Sequence, residues 1–398
     1  KRAMTESKVI IDKRPISKIL FDRLWRFATL VSLFALLYLF MIQEPWDGLT
    51  VNGYRALGAF LFCMVLWVTN LIPLAVTGLL AIAILPLLNV LPADEVFSYF
   101  GNEALFFILG AFILAAAIMK TGLSTRLSLF LLKGASDSPK KLVFRILFST
   151  AILSCVMSEH AVAAFFFPIV LEIARALEFE PFGGEYGKTL FLAMAWGCVI
   201  GGIVTFLGGA RTPLALALFH EMTGEGIGFT TWMQTSLLVA IPLFVSAYFI
   251  LTRFYSIDVT DVESVKQVLI QKRKKLGQAF FKEYMVGFIV LISVALWITK
   301  SETLGLANIA IAAVVALFVF RLIAWKDVDE YVNWGIILMY GGAISLGRAV
   351  YSSGALEWVA KNIMFFPHWL TLNVGGAEPF WLIAILSLLV IVLTEFVS

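Results

Sequence analysis

Long apolar runs separated by short polar segments dominate the chain from Trp25 to its last residue. Polar and apolar positions do not alternate within these runs, as they would in strands that face lipid on one side. A helix needs roughly 20 residues to cross a hydrocarbon core about 30 Å thick. The pattern therefore predicts an all-α polytopic membrane protein.

The order of apolar and polar segments predicts five regions. They are a cytoplasmic or interfacial N-terminal segment (1–24), three scaffold helices (25–103), a first repeat (104–222), further scaffold helices with a polar loop at 253–283 (223–332), and the start of a second repeat that ends at a second hairpin tip (333–398).

Two apolar stretches in the first repeat are too short to cross a membrane. Val143–Met157 has 15 residues and Ala161–Leu171 has 11, and the polar triplet Ser158-Glu159-His160 separates them. Because a crossing needs roughly 20 residues, we predict a re-entrant hairpin over 143–171. Such a tip is stable at membrane depth only when it is buried in protein or lines a wet cavity.

A later apolar segment, 189–220, is interrupted by glycines. Gly201-Gly202 comes first, and Gly208-Gly209-Ala210-Arg211-Thr212-Pro213 follows. The glycines leave the backbone uncovered by side chains, and a single arginine lies among them. This combination predicts a broken transmembrane helix. Ends of broken helices at membrane depth are typical of ion and substrate sites.

Lysine and arginine concentrate in alternate loops. With the N-terminus inside, the basic loops fall inside (120–145, 253–283 and 321–330) and the others outside (43–52, 92–103 and 300–304). This assignment holds only if 143–171 turns back without crossing, so the positive-inside rule supports the hairpin independently. We expect an integral membrane protein of a bacterial inner membrane with a cytoplasmic N-terminus.

The sequence contains a weak internal repeat. Ile108-Leu109-Gly110-Ala111-Phe112 resembles Tyr340-Gly341-Gly342-Ala343-Ile344 at an offset of 232, and Gly122 matches Gly354 at the same offset. The two copies run in opposite directions across the membrane in the loop assignment, which predicts an inverted repeat with a second re-entrant hairpin. Inverted repeats of this kind are typical of secondary transporters. We expect the natural chain to begin before Lys1 and to continue past Ser398 into the second tip.

Composition excludes other classes of protein. Hydrophobic residues make up 61% of the chain and charged residues 14%, which is outside the range of soluble domains. Cys63, Cys155 and Cys198 lie in separate apolar segments, so no disulfide framework or metal cluster is expected. The sequence also lacks a Walker loop, a dinucleotide fingerprint, a zinc motif and a nucleophile elbow. We therefore expect no enzyme, no organic cofactor and no nucleic-acid partner, only membrane lipid and a small ligand.

Several stretches resemble the divalent-anion/sodium symporter family, which carries di- and tricarboxylates and sulfate. Trp67-Val68-Thr69-Asn70-Leu71-Ile72-Pro73-Leu74-Ala75-Val76-Thr77 is similar to its Trp-x-Thr-Glu-x-Ile-Pro-x-x-x-Thr stretch, and Phe100-Gly101-Asn102 and Lys120-Thr121-Gly122-Leu123 are similar as well. The resemblance covers the chain from Trp25 onward. It implies a homodimer with a mobile, elevator-type transport domain and sodium as the coupling ion.

In that family each hairpin carries a Ser-Asn-Thr tip that holds substrate carboxylates and a sodium ion. Here Ser158 keeps the serine, but Glu159 and His160 replace Asn and Thr. The broken helix of the family reads Gly-Gly-x-x-Thr-x-x-Gly-Thr-Pro-Pro-Asn. Gly201, Gly202, Thr205 and Gly208 fit that pattern, whereas Arg211 stands where the family keeps neutral residues. The resemblance therefore implies a divergent first tip.

We predict two overlapping sets of site residues. The substrate set is Ser158, Glu159, His160, Gly208, Gly209, Arg211, Thr212 and Ser398. The cation or proton set is Ser154, Ser158, Glu159, His160, Thr394 and Ser398, with Thr394 and Ser398 as the candidate sodium ligands.

Each of these residues has a simpler alternative. Ser154 and Ser158 would share one face of a helical arm and offer oxygens to a hard cation, or they would bond only their own i−4 carbonyls. Glu159 and His160 would form a proton-coupling pair, or Glu159 would be the permanent ion-pair partner of Arg211. Arg211 would hold a carboxylate or sulfate through its planar fork, or it would be structural.

The sequence thus predicts a secondary transporter of divalent organic anions, most simply four- or five-carbon dicarboxylates. One carboxylate would bind Arg211, and the other would bind the second hairpin tip. Tip and break together carry a net charge near zero without a metal, so we predict that the first sodium site is lost. Transport would then be exchange or be driven by protons through His160, with any remaining sodium dependence at the second hairpin.

Other functions remain open at the level of sequence. They are a sulfate or tricarboxylate/sodium symporter, an arsenite-type or sodium/proton antiporter, and a non-transporting sensor on the same scaffold.

Overall fold

The computed structural model describes residues 15–177, 184–257, 259, 262–373 and 377–397, and the regular structure in these ranges is helical. In chain order the helices are α1 (Ile16–Ile42), α2 (Val51–Thr69), α3 (Leu74–Leu87), α4 (Ala93–Tyr99), α5 (Glu103–Thr121), α6 (Leu123–Leu131), α7 (Pro139–Ser154), α8 (Glu159–Ala176), α9 (Glu185–Gly202), α10 (Arg211–Thr223), α11 (Phe229–Arg253), α12 (Glu263–Leu276), α13 (Phe281–Leu304), α14 (Leu306–Val319), α15 (Trp325–Tyr331), α16 (Trp334–Ser352), α17 (Ala355–Ile363), α18 (Phe365–Asn373) and α19 (Glu378–Val397). A short 3-10 helix at Ala135–Asp137 precedes α7.

Among the described residues, five helices are long and apolar enough to cross a membrane. They include Arg23–Ile42, Val51–Thr69, Glu103–Thr121, Phe229–Arg253 and Phe281–Leu304. Shorter apolar helices occur at Leu74–Leu87, Leu306–Val319 and Pro379–Val392. The predicted all-α polytopic class is therefore confirmed.

The third of the three scaffold helices predicted over 25–103 is shorter than its apolar run predicts. Its apolar run continues from Leu71 to Leu91, but α3 has only 14 residues. Pro73 precedes the first turn, because a proline lacks the N–H that a helix interior needs. Asn89 takes a left-handed conformation with φ of 52° just past the end, so the helix stops while the apolar sequence goes on.

The chain divides into two compact units, Lys1–Tyr99 with Ser345–Ser398, and Phe100–Ile344. In the first unit, the loop before α2 is bound to the loop before α17. Trp358 donates its indole N–H to the carbonyl of Asp47 at 3.0 Å, and Thr50 donates to the carbonyl of Ser353 at 2.9 Å. The rings of Trp46 and Trp358 stack with centroids 5.3 Å apart. The indole thus satisfies a loop carbonyl, and the hydroxyl satisfies a carbonyl that the end of α16 leaves open.

In the second unit, α9 packs closely against α7 through two glycines one turn apart. A methyl group at Gly201 would lie 2.0 Å from the carbonyl oxygen of Ala151, and one at Gly197 would lie 2.5 Å from that of Leu147. Small residues at this spacing allow helix backbones in membranes to approach closely. Helix α9 also packs against α8 and α11, so it fixes both arms of the predicted hairpin.

An aromatic cluster holds the segment between α9 and α10. Phe206 in this segment packs edge-on against Phe229 and Phe107, with ring centroids 5.3 and 6.4 Å apart. Trp232 of α11 donates its indole N–H to the carbonyl of Ile203 at 3.1 Å. Because buried aromatic side chains pack at defined angles, the cluster fixes the course of the chain between the two helices.

The internal repeat is present in the local geometry. A 19-residue helix, α5, ends at Gly122, which has φ of 86° and leads into the nine-residue α6. Another 19-residue helix, α16, is followed by Gly354 with φ of 77° and the nine-residue α17. Glycine adopts this left-handed conformation without steric cost. The inverted orientation of the two copies and the division into predicted domains stay predictions.

Candidate functional site

The predicted hairpin consists of two helices joined by a four-residue link, 155–158, and the tip comprises this link with Glu159 and His160 at the start of α8. Helix α7 has 16 residues and α8 has 18, so both arms are longer than predicted. Helix α7 begins with Pro139 after the N-cap Ser138, where proline is favoured. Whether the pair is re-entrant in a membrane stays a prediction.

Ser158 is the last residue of the link and the N-cap residue of α8. Its backbone is extended (φ −60°, ψ 140°), and its hydroxyl accepts a hydrogen bond from the backbone N–H of Ala161 at 3.3 Å. Ser154 is the last residue of α7, and its fully buried hydroxyl lies outside this cap. The prediction that Ser154 and Ser158 share one helical face is therefore wrong. A serine at an N-cap bonds the following turn of the backbone instead of extending the preceding helix.

The predicted broken helix is present, because α9 ends at Gly202 and α10 begins at Arg211. The segment between them is bonded to the hairpin tip. Thr205 donates its hydroxyl to the carbonyl of Cys155 at 2.6 Å, and the backbone N–H of Glu159 donates to the carbonyl of Gly208 at 2.9 Å. The hairpin tip and the segment between α9 and α10 thus satisfy each other's backbone hydrogen-bonding groups, which segments excluded from water require.

Two glycines, Gly202 at the end of α9 and Gly208 in the break, lie in close contact with the ends of α7, α8 and α9. A methyl group at Gly208 would lie 2.4 Å from the carbonyl oxygen of Gly202 and 2.5 Å from that of Ser154. At Gly202 it would lie 2.7 Å from Oε2 of Glu159. Gly208 is enclosed by backbone atoms and has no room for a larger side chain, whereas at Gly202 the side chain of Glu159 would have to shift.

Glu159 and Arg211 form an ion pair between tip and break. The Nη2 atom of Arg211 lies 2.5 Å from Oε1 of Glu159, and Nδ1 of His160 lies 3.8 Å from the same oxygen. The Glu159 side chain is only 9% exposed, whereas those of Arg211 and His160 are 63% and 81% exposed. The other carboxylate oxygen, Oε2, is buried and has no hydrogen-bond partner among the described residues.

These charged groups face a cavity of about 490 Å³. Of the predicted site residues, five line it, namely Ser158, Glu159, His160, Gly209 and Arg211. Ser154 and Gly208 are buried next to the cavity without lining it, and half-buried Thr212 lies on α10 away from it. Thr394 lies in α19 with a side chain that the structure does not describe, and Ser398 lies outside the described residues, so both stay predictions.

The cavity also has lining residues that the sequence reasoning missed. Glu330, Asn333 and Tyr340, from α15, the link after it and α16, face the tip and the break. The carboxylates of Glu159 and Glu330 outnumber the single guanidinium of Arg211, so the formal charge of the lining is −1 with His160 counted as neutral. The net charge near zero that the tip and the break alone predict therefore does not describe the whole cavity. The sequence points to two of these residues only indirectly. Glu330 ends the basic loop 321–330, which indicates the orientation of the chain, and Tyr340 begins the repeated segment.

A second cavity, of about 650 Å³, lies in the same unit. Its charged and titratable lining residues are Glu103, Glu302 and His220, above buried rings of Phe107, Phe206 and Phe229. Glu103 accepts a hydrogen bond from the backbone N–H of Ala307 at 3.4 Å at the start of α14, so it caps that helix. No lysine or arginine is present among the described residues that line this cavity.

Asp327, next to the first cavity along α15, pairs with Lys120. The two side chains lie 2.8 Å apart. Hydrogen bonding to Lys120 holds the pKa of the Asp327 carboxyl below its usual range, because the bond favours the ionised form. The ion pair thus joins Lys120, near the end of α5, to α15. The Lys120 side chain also remains partly exposed to water.

Comparison with known proteins agrees with this architecture. The profile of the family described as the sodium:sulfate symporter transmembrane region matches residues 22–398. A protein of Staphylococcus saprophyticus named sodium-dependent dicarboxylate transporter SdcS is 26% identical over 384 residues, which is 90% of this chain and 72% of that protein. Its namesake in Staphylococcus aureus bovine strain RF122 is 27% identical over 361 residues, covering 84% of this chain and 68% of that protein.

The family match covers nearly the whole chain, and the apolar helices are those of an integral membrane protein. The resemblance seen in the sequence is thereby confirmed, and the family consists of transporters rather than enzymes. The chain belongs to the sodium:sulfate symporter family.

Proposed function

We propose that the protein is a secondary active transporter of four- or five-carbon dicarboxylates. The observation that carries this proposal is the position of Arg211, the first residue of α10, with 63% of its side chain exposed at the cavity beside the hairpin tip. Relatives at 26 and 27% identity are named sodium-dependent dicarboxylate transporters. Both lines of support point to an organic dianion.

The chemistry around Arg211 suits a carboxylate. A guanidinium presents a planar fork of N–H donors that matches a carboxylate in two parallel hydrogen bonds. Helices α8 and α10 both begin at this cavity, at Glu159 and Arg211. Their N-terminal N–H groups carry partial positive charge, which favours an anion there. Asn333 and Tyr340 add polar groups on the other side of the cavity.

We further propose that the first sodium site has been lost. The hydroxyl of Ser158 caps α8, and that of Ser154 is buried without lining the cavity. The two oxygens therefore do not form one set of ligands, and Arg211 places a fixed positive charge beside the tip. Glu159 already balances that charge, so the tip and the break need no sodium ion to be electrically neutral. Coupling then occurs by exchange or by protons through exposed His160, and remaining sodium dependence arises from Thr394 and Ser398.

The remaining features follow from the family. We propose an elevator-type movement, a homodimer, and a bacterial inner membrane with the N-terminus in the cytoplasm, in line with the staphylococcal relatives. A sulfate or tricarboxylate/sodium symporter is the second candidate, because the matching family is described by sodium:sulfate symport. A small tetrahedral dianion would also accept hydrogen bonds from Arg211.

Uptake into proteoliposomes tests the proposal. Purified protein is reconstituted, and entry of radiolabelled succinate, citrate and sulfate is measured in sodium, in choline and at several pH values. We expect succinate to enter fastest and a substantial flux to persist in choline. Faster entry of sulfate or citrate would favour the second candidate. Complete loss of flux in choline, with a sodium Hill coefficient of two or more, would show that the first sodium site is intact.

A further inference from the structure

Arg211 already has a carboxylate partner inside the protein. Oε1 of Glu159 lies 2.5 Å from its Nη2 atom, which is where a substrate carboxylate would bind. The position of Glu159 is fixed, because it is the first residue of α8 and its backbone N–H is bonded to the carbonyl of Gly208. Any dicarboxylate that reaches Arg211 therefore meets an arginine whose charge is already neutralised.

The pair lacks the geometry of a permanent structural ion pair. Removing two charges from water costs several kcal/mol per ion, which is offset only when their remaining hydrogen-bonding positions are satisfied. Glu159 is 9% exposed, and its Oε2 atom is buried without a hydrogen-bond partner in the described part of the chain. A carboxylate can accept two parallel bonds from a guanidinium, but one contact is present here. Most of the Arg211 side chain remains exposed.

The empty site poses an electrostatic problem that Glu159 solves. An arginine whose substrate has left would carry an uncompensated charge into any conformation that removes it from water, and an unpaired charge there is far more costly than a paired one. The ion pair with Glu159 cancels that charge without substrate. The bare carrier can then change conformation empty, whereas an arginine without this partner would change conformation only with a dianion bound.

We infer that Glu159 is a built-in surrogate for the substrate, which competes with the dianion for Arg211 and allows the empty carrier to return. The inference rests on the proposed function, since it needs Arg211 to bind the substrate. It requires Glu159 to weaken substrate binding, the opposite of what a direct substrate ligand does. It also requires Glu159 to support net uptake more than it supports exchange of one substrate molecule for another.

The test compares wild type with Glu159→Gln and uses Glu330→Gln as a matched control. Both substitutions remove one negative charge from the same cavity, but only Glu159 pairs with Arg211. Succinate affinity is measured on purified protein. Two fluxes are measured in proteoliposomes, net uptake into empty vesicles and exchange against internal succinate. Glu159→Ala, measured in parallel, provides a second variant if Glu159→Gln folds poorly.

We expect Glu159→Gln to bind succinate about tenfold more tightly, a gain of the size that one hydrogen-bonded charge contributes. We also expect its net uptake to fall at least about fivefold relative to exchange, since each return step then leaves Arg211 unpaired. Glu330→Gln should change affinity by less and leave the ratio of net uptake to exchange at its wild-type value. Weaker succinate binding by Glu159→Gln and Glu159→Ala, or an unchanged flux ratio, would overturn the inference.

The two proposals fail in different ways. If Arg211→Ala lost succinate binding while both Glu159 variants bound it normally with a wild-type flux ratio, Arg211 would remain the substrate residue and only the surrogate role would be wrong. If wild type bound no succinate, or Arg211→Ala bound it normally, the proposed function would be wrong and the surrogate role with it.

Discussion

Two cavities share lining residues from the same two helices, yet they differ in their charged groups. Phe112 and Met119 of α5 and Arg211 of α10 line the cavity of about 490 Å³. Glu103 at the start of α5 and His220 near the end of α10 line the other, of about 650 Å³. Each cavity presents two carboxylates, but the larger has no arginine or lysine among its described lining residues, whereas the smaller has Arg211 to offset them.

The difference shows that the arginine, and not volume or backbone geometry, identifies the anion site. Volume alone would favour the larger cavity as the general binding-site hypothesis. Helix N-termini, whose free N–H groups attract negative charge, do not separate the two cavities, because α5, α11 and α14 begin at the larger one and α8 and α10 at the smaller one. The carboxylates of Glu103 and Glu302 would repel a dianion from the larger cavity.

The largest effect that would sharpen the comparison is expected for Arg211→Ala. We predict that its succinate affinity falls about 30-fold or more, because truncating one partner of a hydrogen-bonded charge pair costs about 2–5 kcal/mol. Equilibrium binding to purified protein measures the loss. His220→Ala, at the other end of the same helix and in the other cavity, is the control and should bind succinate as wild type does. Equal affinities for the two variants would remove the distinction between the cavities.

A smaller effect is expected for Gly208→Ala, which probes the contact between tip and break. A methyl group there would lie 2.4 Å from one carbonyl oxygen and 2.5 Å from another, so the backbone must move. We predict a loss of about 1–3 kcal/mol in stability, as in overpacked cores, together with weaker succinate binding. Thermal unfolding and binding measure the two effects.

Gly226→Ala is the matched control for that substitution. Gly226 lines the larger cavity, and a methyl group at this position would meet only Nδ1 of His220 at 3.7 Å, an ordinary contact. We expect stability and succinate binding like those of wild type. If Gly208→Ala behaved like Gly226→Ala, the close packing of tip on break would have no energetic role.

The smallest effect concerns the stability of the folded protein at acid pH, through the ion pair of Asp327 and Lys120 beside the smaller cavity. Because Lys120 lowers the pKa of Asp327, this carboxylate stabilises the folded state above its unfolded pKa of about 3.9. The stabilisation disappears as pH falls through the lowered folded value. We expect Asp327→Asn to lower the melting temperature slightly near neutral pH and to reduce the loss of stability below about pH 4. Parallel melting curves for the variant and wild type at all pH values would contradict this assignment.

Local signals in the sequence predicted the elements that carry the site. Glycine at Gly201-Gly202 and Gly208-Gly209 and the polar triplet at Ser158 mark positions that a helix does not tolerate easily, so the break and the tip could be placed. The pairing of Glu159 with Arg211 was one of two alternatives, because a buried carboxylate needs a partner and Arg211 was the charge available in the break.

The rest depends on tertiary packing or on competition between local signals. Glu330, Asn333 and Tyr340 come more than a hundred residues after Arg211, and only the packing of α15 and α16 brings them to the cavity. The third span was predicted too long, because hydrophobicity continues where Asn89 has already ended the helix. Ser158 was placed on the preceding arm, since four-residue spacing predicts a shared face and does not show that the serine caps the next helix.

The central claim, that Arg211 binds a substrate dicarboxylate, can be tested most directly with 2-bromosuccinate. Crystals of the protein grown with this compound would locate the bromine by its anomalous scattering. The account predicts a bromine peak in the cavity lined by Ser158 and Arg211, with carboxylate density about 3 Å from the guanidinium. A peak in the cavity lined by Glu103 and Glu302, or a bound molecule whose carboxylates do not contact Arg211, would contradict it.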